Sequence, residues 1–158
     1  MRRSLVLLLL MVLAFVGCVV TENYLIPQFQ YWTYVRAQPD AGANIDLLAR
    51  LIAAEAQGEP YEGQVGVGAV VLNRTKNPSF PGTIAGVIYQ PWAFESVEVG
   101  LIWQREPSWT ERRAAIDAVS GWDPTYGCTF FWNPSKPVSP WIWSRTIIRQ
   151  IGNHVFAL

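Results

Sequence analysis

Histidine occurs once in these 158 residues and cysteine twice, and that scarcity closes several routes at the outset. With His154 the only imidazole, and neither Cys18 nor Cys128 at ligand spacing from it, a zinc site of the usual His and Cys donors cannot be assembled. No metal or other cofactor is expected. Cys18 lies within an apolar leader, so the pair offers no disulfide framework and stability must come from a packed core. An excess of charge is lacking too. Twelve basic residues face twelve acidic ones, and without a basic stripe the chain does not read as a nucleic-acid-binding protein. Only one long hydrophobic run is present, Leu5 to Val20, broken by Gly17 alone. It falls short of the roughly 20 residues a spanning helix wants. With Arg2 and Arg3 in front of it, the run reads as a targeting segment, cleaved in preference to retained. Phe15-Val16-Gly17-Cys18 also resembles a lipoprotein cleavage box, with Phe15 where Leu is usual. The mature protein is therefore expected outside the cytoplasm, touching the membrane through its N-terminal segment if that is uncleaved or if Cys18 is lipidated.

Tryptophan, by contrast, is abundant: eight residues, five of them from Trp109 onward. They either fill a core or line a groove. The organisation expected is a signal or anchor over 1–20, a tether over 21–43 and one catalytic-sized domain over 44–158. Pro27, Pro39 and Gly42 break any regular period in the tether.

From Asn44 the pattern turns helical. Asn44 can cap, Asp46 suits the first turn, Leu47, Leu48, Leu51 and Ile52 recur at helix spacing, and Gly58 stops the helix. A second helix, about Glu62 to Arg74, is apolar on most sides and rich in Gly and Ala, as expected of a buried and closely approached element. A short helix is predicted over 83–89, and Ser108 with Glu111 forms a capping box opening a helix to about Val119. Thereafter β-branched and aromatic residues dominate. Thr129 to Trp132 and Thr146 to Ile151 are predicted strands, and Gly152-Asn153 turns the latter back into His154 to Phe156. Helices first and a small antiparallel sheet last define an α+β fold.

Within the first helix one residue stands on the wrong face. At 100° per residue Glu55 falls in the apolar arc of Leu48, Leu51 and Ile52, whereas Asp46, Arg50 and Gln57 share the other side. A carboxylate sent toward a core has its pKa raised and keeps a proton near neutral pH, which is what a general acid needs. The plainer reading is that it emerges at the helix end and pairs with Arg74 or Arg145, and helix geometry alone favours that one. Glu59, Glu62 and Glu95 are available as second carboxylates, and nothing in the sequence sets one opposite Glu55. Cys128 with His154 is the only nucleophile and base pair on offer.

Several long motifs occur in one order: LARLIAAEAQGEPYEGQV from Leu48 to Val65, VVLNR from Val70 to Arg74, PSFPGTIAGVIYQP from Pro78 to Pro91, GWDP from Gly121 to Pro124, WIWSR from Trp141 to Arg145 and IGNHVF from Ile151 to Phe156. Together they resemble the SleB/CwlJ-type spore cortex-lytic cell wall hydrolases, from about Ile45 to the C-terminus. The resemblance implies a small lysozyme-like domain that cleaves the glycan strands of peptidoglycan between N-acetylmuramic acid and N-acetylglucosamine, by lytic transglycosylation or as a muramidase. The family's catalytic acid matches Glu55. Trp132, Asn133, Trp143, Ser144, Arg145 and His154 match positions expected to hold substrate. Phe131-Trp132 stands where members often carry paired tyrosines, and nothing here resembles the separate peptidoglycan-binding domain of SleB. In an extended segment the rings of Trp141 and Trp143 would face one way and Ile142 the other, offering sugars a stacking surface or the core a pair of rings. Arg145 suits a peptide or muramyl carboxylate. A lone His such as His154 is more often structural. A membrane-tethered wall-binding module without catalysis is the alternative function.

Overall fold

The computed structural model describes residues 41–158; the leader, the lipoprotein-like box and most of the expected tether lie outside them. Helix α1 (Ala41–Glu55) is followed by α2 (Tyr61–Lys76), α3 (Ile84–Ile88), α4 (Glu95–Glu98) and α5 (Trp109–Val119). Strands β1 (Phe130–Trp132), β2 (Ile147–Ile151) and β3 (His154–Ala157) close the chain as one antiparallel sheet in the order β1-β3-β2. The α+β reading holds. Chain is already helical and buried at Ala41, so residues 41–43 belong to α1 and Asn44 lies inside it and is not its cap.

The apolar arc of α1 is buried as its spacing requires, with Leu48, Leu51 and Ile52 inaccessible. On the opposite side Arg50 bonds Asp46 at 2.9 Å and Glu106 at 2.7 Å. α2 is the centre of the domain. Its glycines let neighbours come close: a Cβ on Gly68 would stand 3.0 Å from Ala118 Cβ of α5 and 3.2 Å from Ile52 Cδ1 of α1, and one on Gly66 2.9 Å from Phe156 Cζ of β3. Helices α1 and α5 and the sheet thus meet on one small-residue helix. Val70, Cys128, Ile151 and Phe156 form the core between α2 and the sheet, where all of the central strand β3 is buried.

Local signals placed several termini well. Thr83 Oγ1 accepts from the Gly86 N–H at 3.0 Å to start α3. Ser108 and Glu111 form both bonds of the capping box, and Glu111 also pairs with Arg105. Ser108→Ala removes a cap and is expected to cost about 1 kcal/mol in a denaturant melt.

Two features depart from expectation. α4 and a 3₁₀ turn at Leu101–Trp103 are too short to leave a periodic signature. Residues Pro140–Ser144 form a 3₁₀ helix and not an extended segment, with Pro140 in its first turn where a fixed φ is favourable. Three residues per turn set Trp141 and Trp143 about 120° apart, so their rings diverge: Trp141 packs on Phe130 and Trp143 on Trp132, with Ile142 buried between.

Candidate active site

Glu55 is the last residue of α1, half-buried where the helix runs out against α4. Burial pushes its carboxyl pKa up. The Ser96 hydroxyl and N–H pull the other way, as does the charge of Lys136, while Glu95 adds to the rise. Ser96 Oγ is itself buried and makes no hydrogen bond of full geometry, so its hold on the carboxyl is loose and the upward push prevails. Among the described residues Glu55 has no ion pair. The structural pairing with Arg74 or Arg145 that helix geometry favoured is not formed.

Arg74 lies deeper. Only 7% exposed, its guanidinium is 5.1 to 5.7 Å from the ring centres of Phe80, Phe94 and Phe130, and its Nε donates to the Thr129 carbonyl at 2.7 Å. Burial lowers its pKa to about 10, and the charge of Glu55 offsets part of that. Arg74 also lines a cavity of about 270 Å³ with Gln90, Trp92, Phe130, Phe131 and Trp141. Charge-bearing floor and aromatic walls make this a place for a polar ligand with flat apolar faces.

The other sequence-derived residues divide. Trp132 is 5% exposed and packs with Ile142, Val155 and Ala157, so its ring faces are occupied by protein. Trp143 is half exposed and meets Trp132 edge to face at 5.4 Å. Arg145 is exposed, its guanidinium 4.7 Å from the Phe130 ring and 5.0 Å from the Trp141 ring. Ser144 Oγ donates to the Trp141 carbonyl at 2.7 Å, and Asn133 Oδ1 accepts from the Ser135 N–H at 2.9 Å. Both bonds shape loops. His154 is buried 5.2 Å from the Phe131 ring, with Nδ1 unpartnered. Burial depresses its pKa; the Glu59 charge opposes this and the Lys136 charge adds to it. The imidazole is therefore neutral at neutral pH.

Of the spare carboxylates, Glu59 accepts from both the N–H and the Nδ2 of Asn153, at 2.9 and 3.0 Å, and Glu62 pairs with Arg149 at 3.2 Å. Glu95 is exposed, and its charge reaches Glu55. Cys128 is inaccessible, and burial, with the charge of Asp123, pushes its thiol up to about 11. A protonated, enclosed thiol is no nucleophile near neutral pH. Sequence reasoning missed Ser96, on the one-turn helix α4, and Gln90, Trp92 and Lys136, on loops; neither leaves a periodic trace.

The fold and motifs together define a cell wall enzyme. Residues 58–157 match the family described as Cell Wall Hydrolase, and the chain belongs to that family. Within it the chain is of the SleB/CwlJ type. It is 49% identical over 113 residues to the spore cortex-lytic enzyme of Bacillus subtilis, a match covering 72% of this chain but only 37% of that protein. It is 34% identical over 121 residues to the cell wall hydrolase CwlJ of the same organism, covering 72% of this chain and 84% of CwlJ. The catalytic domain of the germination-specific lytic transglycosylase SleB from Bacillus anthracis superposes with a TM-score of 0.69 at 44% identity, covering 73% of this chain and 93% of that domain.

Proposed function

We propose that this protein cleaves peptidoglycan glycan strands between N-acetylmuramic acid and N-acetylglucosamine as a lytic transglycosylase, with Glu55 as general acid and then general base. The observation that carries the reading is a half-buried carboxyl at the end of α1, without an ion partner among the described residues and with its pKa raised by burial, whose charge acts on the buried Arg74 of the aromatic cavity. In the first step the Glu55 carboxyl gives its proton to the leaving glycosidic oxygen. The resulting carboxylate then takes the proton of the muramyl 6-hydroxyl as that oxygen closes on C1, so no water is consumed and one carboxyl suffices. The name borne by the SleB domain supports this route. Exposed Trp143 and Arg145 hold the strand. Asn133, Ser144, His154 and the buried Trp132 keep the surrounding loops and sheet in place. The mature protein works outside the cytoplasm, on spore cortex, and reaches the membrane through its N-terminal segment where that is kept or lipidated.

Mass spectrometry of muropeptides released from purified cortex and vegetative walls tests this. Anhydro-muramyl ends from cortex are expected. Reducing ends point to hydrolysis, and sedimentation with walls without release points to a binding module, for which the exposed rings of Trp92, Trp141 and Trp143 would serve.

Ser96 tunes the acid. Its donors favour the ionised carboxyl, so Ser96→Ala raises the pKa of Glu55 further and moves the alkaline limb of the rate profile to higher pH. Carbon-13 titration of the Glu55 carboxyl reads the same shift directly. A limb that stays in place, or moves to lower pH, contradicts the tuning. Ile52→Asn is a poor probe of the apolar surroundings, because Ile52 is inaccessible beneath α2 and a buried amide there would unfold the core first.

A further inference from the structure

The last carbonyls of a helix find no partner within it, and Glu55 stands where α1 meets that problem. The Ile52 carbonyl accepts from the Ala56 N–H at 2.8 Å. The next carbonyl, of Ala53, is met by a side chain 52 residues further on: Arg105 Nη2 donates to it at 2.9 Å. α1 has no basic residue of its own in its last turn. Arg105 supplies from another segment the cation that a helix C-terminus favours, through a charge-assisted bond about twice as strong as a neutral one.

The guanidinium is itself held. Both of its terminal nitrogens donate to the Glu111 carboxylate, Nη1 at 3.0 Å from Oε2. Glu111 is only 5% exposed, and the same Oε2 accepts from the Ser108 N–H at 2.7 Å. A planar fork fixed on one side by a buried carboxylate is pre-organised on the other. A chain of charge-assisted bonds thus runs from the capped start of α5 to a carbonyl two residues before Glu55. Beyond Glu55 the chain is tied again: the Glu59 carboxylate accepts both Asn153 donors, and the Glu59 carbonyl accepts from Gln64 Nε2 at 3.1 Å. The segment that carries Glu55 is pinned before and after it.

We propose that Arg105 is a positioning residue for Glu55: by holding the Ala53 carbonyl it fixes the last turn of α1 and with it the place of the carboxyl. It acts through the main chain and not on the substrate. Its effect on rate rests on the proposed role of Glu55, whereas its effect on the surroundings of the carboxyl does not.

Arg105→Met alone would strand the buried Glu111 carboxylate, so it is paired with Glu111→Gln, which still completes a capping box. Arg105→Gln, shorter and with one amide donor, is the second variant. Ser108→Ala is the control, weakening the start of α5 with Arg105 intact. In the full chain, well below its melting temperature, both Arg105 variants should release muropeptides about tenfold to a hundredfold more slowly than wild type, as a misplacement of about 1 Å can cost, while sedimenting with walls as before. Carbon-13 titration of the Glu55 carboxyl should show its midpoint lowered, because a loosened last turn admits water. Loss of a cation, as in Arg105→Gln, can by itself only raise that midpoint, and Lys136 and Glu95, whose charges act on the carboxyl, are unchanged. The direction therefore separates position from charge. Ser108→Ala should melt lower with rate and midpoint unmoved. A midpoint that stays or rises, equal effects in Ser108→Ala, weakened sedimentation, or loss of folding in both Arg105 variants overturns the positioning role. So does release within about twofold of wild type while Glu55→Gln is inactive. A lowered midpoint with normal release, where Glu55→Gln also releases normally, upholds the positioning and removes only the acid role.

Discussion

Glu55→Gln is expected to release muropeptides from purified walls about 10²- to 10⁴-fold more slowly than wild type, the usual worth of a positioned proton donor. The side chain keeps its size and loses only its proton. Because Glu55 has no ion partner among the described residues and burial has raised its pKa, the exchange should not harm the fold. The sign follows from linkage. Below the unfolded pKa the carboxyl is protonated in both states and Gln has little advantage. As pH rises from there through the raised folded value, wild type loses stability, because its unfolded state ionises first. The melting temperature of the variant should therefore match wild type in acid and equal or exceed it at neutral pH. Release within about twofold of wild type, from a variant that melts normally, would remove Glu55 from the acid role and assign proton donation to another residue.

Gly152→Ala is expected to cost about 2–4 kcal/mol, from left-handed backbone strain and overpacking together, and to lower the melting temperature by roughly 10 °C. Gly152 opens the β2–β3 turn at φ 59°, and a Cβ there would overlap Glu59 Oε2 and stand 2.6 Å from Pro60 Cδ. The turn is tight because the Glu59 carboxylate binds both Asn153 donors, tying the α1–α2 loop to the sheet. Gly152→Asn separates the two causes. Asn tolerates left-handed backbone but still carries the Cβ, so a loss close to that of Ala would make the clash dominant. A loss under 0.5 kcal/mol in both variants would mean that the loop relaxes freely and that the clamp does not hold the hairpin.

What the sequence determined by itself was whatever local chemistry dictates. The order of the longer helices and the strands, the Ser108–Glu111 capping box, the Gly152-Asn153 turn and the exit of Glu55 on the apolar arc of α1 all follow from spacing and from the side chains of a few neighbours. The arc is buried as its period requires, because an amphipathic helix has only one way to hide Leu48, Leu51 and Ile52. The motif order also carried the family. Short elements were illegible: four residues in α4 make one turn and no period, and Trp141-Ile142-Trp143 alternates as well in a strand as in the 3₁₀ helix it forms. Tertiary structure alone decided what surrounds the carboxyl. Ser96 reaches Glu55 from 41 residues away in sequence, Arg74 is caged by rings from three separate segments, and Gln90 is stranded by a loop that carries no pattern of its own. A pKa and a cavity are set by desolvation and by groups brought together in space. Periodicity reports which face of an element is buried, but not what meets it there.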